Sequence, residues 1–275
     1  MTPAIRNPIN KLQVNARLLR SLHQRLMQAG TWMGTLLPQD CQLCGAQSGA
    51  TLLCAGCRDA LPVLPACCPQ CAMPAFSGEI CGACLKRPPQ FDATLAAMRY
   101  EFPADHLVLA LKFGARLPIA SLLADLMLER IHSVHQSKIC KNEMPLPDLL
   151  IPMPLHRTRL AERGFNQAVE ISRHLANHLH RPLMTGAVWR HRDTLPQSEL
   201  PLPKRRANVR GAFKSHTDFT GRYIAVVDDV MTSGSTLDEL ARVLKRAGAR
   251  RVENWIVART WTERNIRGAL STLTR

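Results

Sequence analysis

Aromatic side chains make up only 5% of this 275-residue chain, and its two tyrosines are Tyr100 and Tyr223. So thin a supply argues against a base-stacking platform of the single-strand-binding type, which lays successive bases on aromatic rings. Long apolar runs are missing as well. No stretch approaches the roughly 18 uncharged apolar residues that a membrane helix needs, so no membrane span is expected. No secretory leader is legible, because Arg17, Arg20 and Arg25 interrupt the apolar region near the start and no small-residue cleavage site follows it. The ten histidines show no metal-ligand spacing. Hydrophobic residues are not short, at 46%, which excludes disorder throughout. The expectation is a cytoplasmic protein of about two domains.

Cysteine is abundant, and its spacing is regular. Eight of the ten cysteines form four C-x2-C pairs: Cys41/Cys44, Cys54/Cys57, Cys68/Cys71 and Cys81/Cys84. The last two pairs repeat the first two at a constant offset of 27 residues. Two thiolates spaced this way fit one metal ion as a knuckle, and two knuckles complete a tetrahedral site of four sulfurs. Disulfides would need an oxidising compartment, to which nothing here directs the chain. A thioredoxin-like redox role would need one such pair on a strand-to-helix turn, not four in an array. The pattern predicts two structural zinc sites, with sequential or interleaved sharing of the knuckles left open. Gly45 and Gly82, with Pro69 and Pro74, are expected to supply the turns. The 27-residue register favours Cys68 over its neighbour Cys67, and Cys140 stands apart. The segment has almost no apolar run of its own, so zinc would supply its folding energy.

Charge is as uneven as cysteine. The net charge is +15, and residues 151–215 alone hold twelve Lys and Arg against four Asp and Glu. So large an excess of cations in one stretch suits a polyanion held mainly through its backbone. A solvated basic surface without a ligand is the plainer alternative.

The most specific stretch is Ile224 to Thr236, IAVVDDVMTSGST. An apolar, β-branched run ends at Asp228 and Asp229. A loop of Thr232, Ser233, Gly234, Ser235 and Thr236 follows, and then helical spacing through Leu237, Leu240, Ala241 and Leu244. A strand, a hydroxyl-rich loop and a helix start together aim backbone N–H groups and the helix dipole at an anion. Two carboxylates just before that nest suit a ribose diol or a magnesium ion. A plain strand-to-helix turn capped by Ser or Thr would not need the acid pair.

With those residues in view, VVDDVMTSGST resembles the signature of type I phosphoribosyltransferases, which bind 5-phosphoribosyl-1-pyrophosphate (PRPP). Two further segments, IPMPLHRTRLAERGFNQA (Ile151 to Ala168) and TLPQSELPLPKRRANVRGAF (Thr194 to Phe213), narrow the resemblance to the competence-associated ComF/GntX group. The resemblance implies that Asp228 and Asp229 hold the ribose hydroxyls with Mg²⁺, and that Thr232 to Thr236 cradle the 5′-phosphate. It makes Pro152 to His156 a pyrophosphate loop, with His156 and Arg157 as donors. Lys112, in Leu-Lys-Phe, stays open between a phosphate contact and a helix-end charge. The Arg163–Gln167 segment could equally be a helix start capped by Asn166. The group also carries an N-terminal double zinc ribbon.

The implied role is a PRPP-binding protein acting in DNA uptake, natural competence or the use of incoming DNA. Single-stranded DNA, on a hood including Lys204, Arg205 and Arg206, and DNA-uptake or helicase-type proteins are the implied partners. The alternative is an active Mg²⁺-dependent phosphoribosyltransferase of nucleotide metabolism with an unknown acceptor, since fold resemblance does not establish turnover.

The expected architecture is α/β: a type I phosphoribosyltransferase-like parallel sheet with flanking helices and a hood, preceded by a small double zinc ribbon. The divisions read from the sequence are a basic amphipathic helix within 1–40, the ribbon in 41–90, the phosphoribosyltransferase-like domain in 91–260 and a tail in 261–275. Strands are expected at Ala93–Tyr100, Leu149–Met153, Val188–His191, Tyr223–Val227 and Val252–Val257. Helices are expected at Asp105–Phe113, Leu117–His135, Asn166–His180 and Ser235–Ala247. The stretch Gln136–Pro147 reads as a loop, and Asp193–Ala207 as a mobile hood.

Overall fold

A computed structural model describes residues 39–75, 78–139, 145–193 and 202–261. The expected N-terminal helix, Cys140 and the tail beyond Trp261 lie outside the described residues. The chain forms two compact units, residues 1–60 and 61–275.

In the first unit, strands β1 (Gln39–Asp40) and β2 (Gln47–Gly49) pair antiparallel around the first knuckle. The Cys41 N–H donates to the Ala46 carbonyl at 2.7 Å, and Gly45 supplies the left-handed turn at φ +73°. Helix α1 (Ala55–Asp59) then starts directly after Cys54.

The second unit opens on a copy of the same device. Cys68 N–H donates to the Met73 carbonyl at 2.8 Å, and helix α2 (Gly82–Lys86) starts after Cys81. The left-handed position here is Ala72, at φ +54°, 27 residues after Gly45. The turn role expected of Gly82 is therefore taken by Ala72, and Gly82 is the first residue of a helix. A non-glycine residue in that region costs on the order of 1–3 kcal/mol and persists only where its surroundings hold it.

The remainder of this unit is built on strands β3 (Ala93–Arg99), β4 (Leu149–Pro152), β7 (Tyr223–Met231) and β8 (Arg251–Arg259), all parallel in the order β3-β8-β7-β4. Ile224 to Val227 are fully buried, as a strand covered on both faces requires. Helices α3 (Ala104–Gly114) and α4 (Pro118–Ile139) follow β3, and α6 (Gln167–Leu179) packs beside α4 and against β4 and β7. Its buried residues Ala168, Ile171, Ser172, Leu175 and Ala176 form one stripe at helical spacing. Each fully buried leucine of this kind contributes roughly 1.5–3 kcal/mol. Helix α8 (Ser235–Arg246) brings Leu237, Leu240 and Leu244 to a cluster that includes Ile224, Val226, Val252 and Ile256.

Several elements depart from the expected boundaries. Strand β7 continues four residues past Val227, because Asp228, Val230 and Met231 keep their register with Ile256, Ala258 and Arg259. Helix α4 runs to Ile139, through residues expected as loop. A short helix α5 (Arg157–Arg163) was not expected, nor was strand β6 (Phe213–Ser215), which pairs antiparallel with β5 (Val188–Arg190) off the main sheet. The hood contains helix α7 (Leu202–Val209). Pro203 sits in its first turn, where a missing N–H has no helical partner to lose.

Candidate functional site

Strand alternation sends the side chains of Asp228 and Asp229 to opposite faces of the sheet edge. Asp229 is 4% exposed and its carboxylate lies 2.9 Å from Lys112 Nζ, on the last turn of α3. That contact places Lys112 at the acid pair. Asp228 is half-buried. Burial, then the charge of Asp229, pushes the Asp228 carboxyl up to about 8 against the opposing pull of Lys112. Asp229 also lies in the field of Arg163, and Asp228 in that of Arg190, although burial lowers both guanidinium values. In the sequence Arg163 stood out only as the start of the Arg-Gly-Phe-Asn-Gln segment, and Arg190 only as part of the basic excess. Their placement at the acids depends on α5 and β5 folding over the sheet edge.

The loop after β7 is shaped by Gly234, at φ +78° before α8. The positive φ is what favours glycine here, and a Cβ would also sit 2.6 Å from Met231 Cε, so the flexible end of that side chain would have to move. Ser233 Oγ accepts from Ser235 N–H at 3.3 Å and lies 3.0 Å from Ser235 Oγ. Helix α8 runs on through Thr236 and buries its Leu237 stripe, which fixes the loop's aim.

His156 closes the loop that follows β4, and Arg157 opens the helix after it. His156 is the N-cap of α5, its Nδ1 is 2.9 Å from Thr158 Oγ1 and 3.4 Å from Asp193, and Arg157 is the helix's first residue. Asn166 caps α6, accepting from Ala168 N–H at 2.9 Å while its amide donates to the Met153 carbonyl at the end of β4. Arg163 donates to Gln167 at 2.6 Å and lies over the Phe113 ring. The Arg-Gly-Phe-Asn-Gln segment is thus a helix-to-helix corner locked to the strand beneath it.

In the hood, Arg206 pairs with Asp238 in the first turn of α8 at 2.7 Å, and Asp238 also accepts from Gln90 N–H. For Lys204 and Arg205 only the backbone, in α7, is described. Lys214, His216, Arg242 and Arg246 line an open cavity of about 350 Å³ between β6 and α8. Trp189, 37% exposed, leans against the His216 ring there.

The cysteines gather in two sets, Cys41, Cys44, Cys54 and Cys57, then Cys68, Cys71, Cys81 and Cys84. Sharing is therefore sequential, not interleaved. Within each set the sulfurs lie within 4.8 Å of one another, and the Cys44–Cys54 and Cys71–Cys81 separations are 3.7 and 3.6 Å. Zinc–sulfur bonds of about 2.3 Å give a tetrahedral edge near 3.8 Å, so both donor sets fit zinc. Cys67 belongs to neither set and packs on the main core.

One residue escaped the sequence reading altogether. Arg259, at the end of β8, is 2% exposed and donates through Nε to the Cys71 carbonyl at 2.8 Å. Through Nη1 it reaches the carbonyls of Met231 (2.8 Å), Thr260 (2.9 Å) and Thr232. A lone arginine at a strand end reads as a surface charge, and only the fold supplies these acceptors.

Comparison with known proteins agrees with both parts of the chain. The double zinc ribbon domain matches residues 32–85, and the phosphoribosyl transferase domain matches residues 160–265. DNA utilization protein YhgH of Escherichia coli O157:H7 is 35% identical over 209 residues, covering 76% of this chain and 90% of that protein. Competence protein F of Haemophilus influenzae is 32% identical over 210 residues, covering 75% and 90%. This chain belongs to the ComF family. Among solved structures, the ComF chain is similar to Leishmania donovani hypoxanthine-guanine phosphoribosyl transferase, at 12% identity and a TM-score of 0.34, over 56% of this chain and 74% of that one. No helix among the described residues of the ComF chain is long and apolar enough to cross a membrane.

The raised Asp228 carboxyl has a sign that can be checked. A carboxyl held above its ordinary value favours the fold below about pH 4 and withdraws that contribution as pH climbs through 8. A ligand that brings a cation, or two ribose hydroxyls, to Asp228 favours its ionised form, so binding of such a ligand would expel the proton. Affinity for Mg²⁺–PRPP should rise between pH 6.5 and 8, by up to about tenfold per unit, and level off above it. Calorimetry in two buffers of different ionisation enthalpy counts the released proton, and a flat profile would contradict the assignment.

Proposed function

We propose that this chain binds PRPP with Mg²⁺ and serves, as a ComF-type protein of the cytoplasm, in the uptake or use of incoming DNA. The observation that carries the first half is the joint of β7, the Gly234 loop and α8, which sets two carboxylates beside an anion nest. Asp228 and Asp229 would take the ribose hydroxyls and Mg²⁺, and Thr232 to Thr236 the 5′-phosphate. His156, Arg157, Arg163 and Arg190 would supply positive charge to the pyrophosphate. Mg²⁺, when bound, neutralises phosphate charge. The chain's own part is to orient the ribose and to hold Asp229 against Lys112 until a ligand arrives.

The second half rests on the names of the relatives and on the charge distribution. The hood and the basic cavity between β6 and α8 would offer a track for the backbone of single-stranded DNA. Exposed Trp189 adds one stacking surface to a face otherwise poor in aromatics. DNA-uptake or helicase-type proteins are the partners consistent with such a role.

The test is a single-stranded DNA titration at several salt concentrations beside a thermal-shift series with Mg²⁺–PRPP. Affinity should fall with salt, and neutralising Lys204, Arg205 and Arg206 together should flatten the dependence by roughly 0.7 for each phosphate no longer neutralised. Arg206 is paired with Asp238, so that ion pair must open before Arg206 can neutralise a phosphate. Affinity indifferent to salt would remove the DNA half of the reading and leave the PRPP half standing.

A further inference from the structure

The second cysteine cluster and the phosphate loop share one buried cation. Arg259 grips the second knuckle through the Cys71 carbonyl and the phosphate loop through the carbonyls of Met231 and Thr232. Trp261, two residues on, donates its indole N–H to the Ala72 carbonyl at 3.0 Å. Ala72 is the left-handed residue of that knuckle, so the strained turn is held from the same strand end. Met231 carries the connection onward: its carbonyl also accepts from Thr260 N–H at 3.0 Å, and its methyl group fills the space under Gly234. Each link is a contact within residues 61–261, and none is supplied by the first cysteine cluster.

The chemistry of this arrangement is specific. A guanidinium presents a rigid planar fork of five donors that spans carbonyls on two sides of it, whereas a lysine ammonium is a compact charge with three donors at one point. Burying that charge is costly unless it is compensated. The four thiolates of the second cluster, two negative charges in excess of one zinc ion, supply the opposite sign next to it. Removing the cluster would leave Arg259 without its counter-charge and release one arm of its grip. The loop carbonyls on its other arm would then lose their fixed partner.

We propose that Arg259 is a positioning residue for the phosphate loop, and that it makes the zinc-loaded second cysteine cluster part of the phosphate-binding machinery. This rests on the PRPP reading for the ligand, but the coupling of cluster to loop stands without it. The consequence is that phosphate binding depends on the metal content of Cys68, Cys71, Cys81 and Cys84. By linkage, a loop ligand must in turn hold that metal more tightly.

Three measurements on the full chain test it. Cys84→Ser, checked to retain one zinc, should expose the amides of residues 231–236 to faster hydrogen exchange and weaken Mg²⁺–PRPP binding about tenfold, within the usual range for coupled sites. Cys57→Ser in the first copy is the comparator. An equal effect from both would assign the loss to metal depletion in general and overturn the proposal. Arg259→Lys should keep two zinc ions and show the same faster exchange at 231–236; wild-type exchange there would overturn the positioning role. Should either variant fail to fold, the wild type carries the test. Mg²⁺–PRPP should slow zinc release to a colorimetric chelator from one of the two sites, and release unchanged at saturating ligand would overturn the coupling. If PRPP does not bind the wild type at all, the exchange arm still decides the coupling, with unchanged exchange in Cys84→Ser and Arg259→Lys refuting it.

Discussion

Replacing Asp228 and Asp229 together by asparagine should abolish the stabilisation that Mg²⁺–PRPP gives the wild-type chain. At a ligand concentration a hundred times Kd, binding stabilises the folded state by about 2.7 kcal/mol, or several degrees in Tm for a domain of this size. Asparagine keeps the shape of both side chains and can still accept from the Val230 N–H that Asp229 now holds at 2.7 Å, so the strand end should survive. What it cannot do is bind Mg²⁺ or a ribose diol with full negative charge. A circular-dichroism spectrum like that of the wild type, with no ligand-induced shift, is the expected pair of results. A double variant that responds to PRPP as the wild type does would mean that the signature is not a working site.

The second large effect concerns metal. The purified chain should carry two zinc ions, one for each set of four cysteines, and stripping both should unfold the two knuckle regions. Binding free energies of structural zinc in small domains are about 10–16 kcal/mol at neutral pH, far more than these short segments gain from apolar burial. Metal analysis that returns one ion or none after careful purification would mean that a copy has lost its site. The sets are embedded differently, since Cys68, Cys81 and Cys84 are buried whereas only Cys41 of the first set is.

What was legible in the sequence was what sits close together along it. The acid pair, the loop and the α8 stripe lie within one short run, so their mutual geometry follows from strand and helix periods. The cysteine repeat was legible because knuckle spacing is set by local turns, yet even there the left-handed residue is Ala72, not Gly82. Alanine gives no hint of a positive φ, and the position could be found only by laying the second copy on Gly45. Lys112 and Asp229 are separated by more than a hundred residues, as are Arg259 and Cys71, and no periodicity encodes such meetings. Glu239 shows the same limit: on α8 it reads as a solvent-facing acid, but it is 8% exposed and accepts from Gly211 N–H beside β6. The α7 helix was hidden by its prolines, which read as breakers until the helix start fell next to one of them.

If the site takes PRPP with Mg²⁺ as proposed, the Lys112–Asp229 contact turns ligand capture into an exchange of cations. An acid pair facing solvent with no partner would repel the polyphosphate it is meant to receive, and would attract any stray divalent ion. With an ammonium already seated on one carboxylate, the acid pair itself turns less negative charge toward an approaching anion. When a metal–phosphate complex arrives, the lysine must be displaced, and its freed charge has a phosphate within reach to move to. The helix end that carries it, bounded by Ala115 in a left-handed turn at φ +48°, thereby becomes the threshold that a rival cation without a phosphate has no means to cross cheaply.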